Sequence, residues 1–254
     1  MAKSTTDVAI REEAALPAII DFTADQGAGF EETDSSSYAI PFLCILQAIS
    51  PQAKKQNAKY IQGAEEGDFF NTVTEKLYKG SDGVTVIPCH YIHKYNEWAP
   101  ERGGFRGSHS AADYTKLTKE MRFDSKGNQY EANAESGNQL VDTREHYVII
   151  VNADGSCEPA VLALSGSQLK KSKKWMTLMQ GIRIGGQVAP MFSQVYKISP
   201  MLESNDKGEW SGLKFDHIGQ VTSMDHYNAA KQFREMVRSG AASATPTGDE
   251  EVPF

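Results

Sequence analysis

This sequence predicts a mainly β protein: an antiparallel or mixed barrel with two or three helices and long insertions. Three observations lead there. Apolar, β-branched runs recur between turn signals. Few helical stretches separate them, which argues against the crossover helices of a doubly wound sheet. The connections are long and polar, as in barrel folds with loop insertions. With 254 residues, 40% hydrophobic and 23% charged, the chain is long and apolar enough to bury a core in water.

The elements follow in order. Residues 38–49 form the first dense apolar run, a buried strand or a short helix begun after Pro41. Residues 54–67 read as a surface loop, and residues 69–74 as a strand. Gly80-Ser81-Asp82-Gly83 is a turn. Val84–Trp98 is the longest β-like segment, broken at Pro100. Residues 100–140 read as a weakly structured insertion with a short helix near 111–120. Residues 147–151 and 159–164 flank an Asp-Gly turn, a β-hairpin pattern. A helix follows, capped by Ser165 or Ser167, with Leu169, Trp175, Met176, Met179 and Ile182 at helical spacing and Gly185-Gly186 at its end. Residues 191–198 and 213–221 are strand candidates, with Trp210 in the turn between them. Ser223 caps a last amphipathic helix, Met224–Arg238, whose stripe is Tyr227, Ala230, Phe233 (or Arg234), Met236 and Val237.

Charge divides the chain into three parts. Residues 1–36 carry a net −6 and read as mostly flexible. Residues 239–254 carry −3, as a small-residue tether and an acidic tail. The body, 37–238, keeps +2 of the overall −7, and residues 159–202 hold six bases and no acid. The N-terminus is polar, without the apolar core of a secretory signal, and no apolar run is long enough to span a bilayer. Cys44, Cys89 and Cys157 are odd in number and widely spaced, which points to neither a disulfide scaffold nor a zinc ribbon. The expected location is the cytoplasm, the host's if the protein is viral.

Three constellations carry candidate chemistry. Lys170, Lys171, Lys173 and Lys174 crowd about half of a helix circumference, with Arg183 beyond them. They suit phosphates or a merely solvated face, and Trp175 at their edge suits a core or a stacked base. Tyr91 and Tyr95 share strand parity with His93, Trp98 follows, and Arg102, Phe105 and Arg106 occupy a Gly-rich loop. Rings interleaved with cations suit unpaired bases; the competing reading is exterior packing beside a mobile loop. Last, Asp249, Glu250, Glu251, Val252, Pro253 and Phe254 form an acidic hook for a basic-rimmed apolar pocket. His90 and His93 fall on opposite faces of a regular strand, so no metal site is expected. No phosphate loop or nucleophile elbow is present in the sequence, and neither a cofactor nor an enzymatic activity is expected.

The Pro-Phe ending after three carboxylates resembles the tip of bacterial single-stranded DNA-binding proteins. The chain resembles a tailed-phage single-stranded DNA-binding protein, and in local wording Pro41-Phe42-Leu43, Leu46-Gln47-Ala48-Ile49-Ser50-Pro51 and Gly67-Asp68-Phe69-Phe70-Asn71 resemble a class of phage replication-module proteins. That resemblance implies an oligonucleotide-binding (OB-fold-like) barrel which coats single-stranded DNA without strong sequence preference. It also implies a tail that recruits replication or recombination proteins (a polymerase, helicase, primase or recombinase) and competes for the DNA groove. A homodimer is left open. The alternative is an interaction protein that binds or inhibits a host replication or repair enzyme through the Pro-Phe tip.

Overall fold

The structure, a computed structural model, describes residues 28–32, 39–206 and 208–244, without the Arg102 side chain. The tail residues Asp249 to Phe254 and most of the acidic N-terminal segment lie outside the described residues.

The mainly β expectation holds, and the barrel does not. Eight strands form one open antiparallel sheet. Its spine is β4 (Val84–Trp98) paired along its length with β8 (Gln139–Val151). The start of β4, Val84 to Val86, also pairs with β12 (Gln194–Asn205), which pairs in turn with β13 (Gly208–Gln220). Its end, Lys94 to Trp98, pairs with β5 (Phe105–Ser110). β9 (Cys157–Ser165) lies along β8, and β7 (Gln129–Asn133) and β6 (Lys119–Phe123) continue the sheet from the start of β8. A smaller sheet, β1 (Leu43–Ile45), β2 (Phe69–Asn71) and β3 (Leu77–Tyr78), joins β9 through a parallel bridge between Phe42 and Val161. Backbone ladders do not link β1 to β13. Instead the Gln47 carboxamide spans that gap, donating to Ser211 O and accepting from Ser211 N, both at 2.9 Å.

The central strands are buried on both faces, so they read as nearly continuous apolar runs. In β8, Tyr147 and Ile149 face a cluster completed by Ala230, Phe233 and Val237 of α3 (Met224–Arg238). Val148 and Ile150 face the opposite cluster, which contains Trp175 and Met179 of α2 (Leu169–Gly181). The molecule is therefore three layers, helix–sheet–helix, with period-2 side chains feeding both cores. α3 has the predicted bounds, and the Ser223 hydroxyl accepts from His226 N. Its buried residues Ala230, Phe233 and Val237 recur three and four apart, whereas Met236 is exposed.

Several boundaries move. The 100–140 stretch is not weakly structured: it holds β5, α1 (Ala111–Tyr114), β6 and β7. Its polar sequence conceals strands that are largely exposed: β5 along the edge of β4, and the β6–β7 ribbon, of which Ala132 and Asn133 are buried. At its root, Glu97 is buried and accepts from Ser136 Oγ, Asn138 Nδ2 and Asn133 Nδ2 and pairs with His109 Nε2. Gly185-Gly186 turns the short hairpin of β10 (Arg183–Ile184) and β11 (Gln187–Val188), and Trp210 lies within β13 rather than in a turn. The tether does not start at 239. Ala242 and Ala244 are buried in the α3-side core, and Ala242 N donates to Met236 O.

Candidate nucleic-acid interface

The site begins with a bulge. The β4–β8 register shifts between Pro88 and His90, so Cys89 is the extra residue. Before it, Val84 and Val86 face α2; after it, Tyr91 does, through contact with His146. The slip exchanges the faces of β4. It places Tyr91, His93 and Tyr95 on the side of the lysine-bearing helix, and sends His90 to the α3 side, near Arg234 and Arg238.

On that face the half-buried rings form a row. Tyr95 stacks on Tyr114 of α1 at 3.5 Å and 5°, and His93 lies 5.1 Å from Tyr95. A direct face-to-face pair is ordinarily disfavoured, because two electron-rich faces meet. Lys119 Nζ sits 4.5 Å from the Tyr114 centroid and draws that ring's electron density. Tyr114 also donates to Glu131. Arg144 of β8 donates to Tyr91 Oη at 2.9 Å and grips Asp142 with Nε and Nη2. Asp142 also lies 3.2 Å from His93 Nε2. Burial lowers the His93 pKa, and the positive charges of Arg144 and Lys173 press it down further against the pull of Asp142.

The row continues inward as core. His146 stacks on Trp175 at 4.7 Å, and Trp175 stacks on Phe215 at 4.2 Å. His146 Nε2 pairs with Ser172 Oγ at 2.8 Å, and burial drives its pKa to about 3, so the ring is neutral. Trp175 is fully buried, which decides between its two sequence readings: its ring faces Tyr196, Phe215 and His146, and no face is open to a base.

The other expected residues divide. Lys170, Lys173 and Lys174 are exposed on α2. Lys171 is not a free cation. Glu203, one residue beyond the acid-free segment, reaches it from β12, and the absent side chain of Gly212 leaves room for that carboxylate. Arg183 is exposed at the start of β10 and donates to Gln180 O. Trp98 and Phe105 pair with each other at the far end of β4, edge to face at 5.5 Å. Arg106 is exposed on β5, and the Arg102 side chain lies outside the described residues. Sequence reasoning missed Tyr114, Lys119, Glu131, Asp142 and Arg144. They sit in the misread insertion or ahead of the apolar half of β8, and only strand pairing brings them to the tyrosines.

A family model described as Pam3 phage gp34-like protein matches residues 10–243. No curated protein and no solved structure matches the chain.

Proposed function

The chain belongs to the Pam3 phage gp34-like protein family, and from that premise we propose that this phage protein binds single-stranded DNA without strong sequence preference, in the host cytoplasm, during replication or recombination. The observation that carries the reading is the half-buried row Tyr91, His93, Tyr95 and Tyr114, flanked by Arg144 and Lys119 on the side of the sheet where α2 lies. Unpaired bases offer π-faces, which suit the rings, and phosphates offer charge, which suits the exposed lysines nearby and Arg144 once it is released from Asp142. The exposed lysines of α2 extend the cationic surface beside it. No helix among the described residues is long and apolar enough to cross a membrane.

In this reading the protein acts by coating, not by bond making. Pro253 and Phe254, with Asp249, Glu250 and Glu251, serve as the anchor for a polymerase, helicase, primase or recombinase. The test is a gel-shift series with oligo-dT against duplex DNA of equal length. Tyr95→Ala is expected to weaken oligo-dT binding by about 1–3 kcal/mol, the usual worth of one base–ring stack. If the unaltered protein ignores oligo-dT at low salt, the reading falls, and the host-enzyme interaction protein takes its place.

A further inference from the structure

We propose that β6 is a homotypic edge, along which a second copy of this chain pairs antiparallel about a two-fold axis through Met121. β6 ends the ladder of the large sheet, and its described partner is β7 on one side. Ala134 N donates to Thr118 O and Asp124 N to Asn128 O, which sets the alternation of that ladder. Residues 120 and 122 therefore turn their backbone groups toward β7. Lys119, Met121 and Phe123 direct theirs to the open edge. Met121 is 54% exposed and Phe123 66%.

The sequence of this edge, Lys119-Glu120-Met121-Arg122-Phe123, is complementary to itself in one register only. With Met121 opposite Met121, Glu120 of each copy faces Arg122 of the other. The existing Glu120–Arg122 pair within the strand becomes part of a four-charge network. A shift in one direction puts Glu120 against Glu120, and in the other Arg122 against Arg122, and like charges directly opposite are destabilising. The centred register also uses all the outward groups, giving about six new backbone hydrogen bonds. Charged edge residues normally keep sheets apart. Here the charges change sign about the centre, so they select this strand as its own partner.

The side chains support the same choice. Phe123 of the second copy falls opposite Lys119, on the face of Met121. Lys119 already lies over Tyr114, so the two ring rows adjoin across the axis. Five residues a side bury less than the roughly 1,200 Å² typical of a stable interface. Association is therefore weak and concentration-dependent. Two copies on one strand raise each other's effective concentration, a consequence that rests on the nucleic-acid reading.

Sedimentation velocity of the full chain, with and without long oligo-dT, tests this. Free protein is expected to shift reversibly from monomer to dimer as concentration rises. Glu120→Arg and Arg122→Glu should each weaken the dimer about tenfold, since two attractive pairs become repulsive. Mixing the two variants should restore it, because every cross-strand pair is then of opposite sign. Met121→Pro removes an outward N–H while sparing the β7 ladder, and should abolish pairing with the melting temperature kept. A free protein that stays monomeric at every concentration, or a mixture no better than its components, overturns the proposal. Dimerisation without oligo-dT binding leaves the edge standing and removes only the nucleic-acid reading.

Discussion

Asp142 decides how much of the cationic face is available. Its carboxylate engages Arg144 through both oxygens and lies beside His93, so in the free protein the best-placed guanidinium is already neutralised. An arriving phosphate has to compete with an acid held in the same strand. Asp142→Asn is expected to tighten oligo-dT binding severalfold, about 1 kcal/mol, in the range of a charge-assisted hydrogen bond. Fluorescence anisotropy at matched salt measures it, and unchanged or weaker binding would show that phosphates bypass Arg144. Sequence alone left these two residues unnamed: they precede the recognisable apolar half of β8 and carry no motif.

At the scale of the element, the bulge at Cys89 determines which rings share a face with α2. Parity within a strand is legible in sequence, so Tyr91, His93 and Tyr95 could be grouped beforehand. Which core they border depends on one inserted residue, and its local mark is Pro88 just before it, since a central strand tolerates proline at a bulge. The insertion ribbon has its own anchor in Glu97. Burial alone would raise that carboxyl, but hydrogen bonds from Ser136, His109, Asn138 and Asn133 outweigh it and hold the pKa at about 2, against an ordinary 4.5. A lowered carboxyl contributes stability that is complete above the ordinary value and is lost as pH falls through the folded one. The ribbon should therefore loosen between about pH 4.5 and pH 2, and Glu97→Gln should flatten that dependence while costing about 1–3 kcal/mol near neutrality. Thermal melts across this range check it; equal slopes in both proteins would assign the acid sensitivity elsewhere.

Across the whole molecule, net charge hides its own arrangement. The chain is −7 overall, yet the exposed cations Lys170, Lys173 and Lys174 line one helix. Ala244, the last described residue, is buried beside Tyr147 on the α3 side, opposite the ring row. We expect deletion of 249–254 to abolish capture of a replication enzyme and to raise oligo-dT affinity; an unchanged partner set and affinity would refute both roles of the tail. The sequence by itself determined the strand-rich class, the bounds of β4 and α3, and the grouping of the tyrosines, because period-2 and period-3.6 patterns and helix caps are local. The tertiary structure decided that the sheet stays open, that Trp175 belongs to the core, that Glu203 captures Lys171, and that Arg144 and Tyr114 join the rings. Each of these depends on contacts between residues far apart in the chain, and chain neighbours carry no record of such pairings.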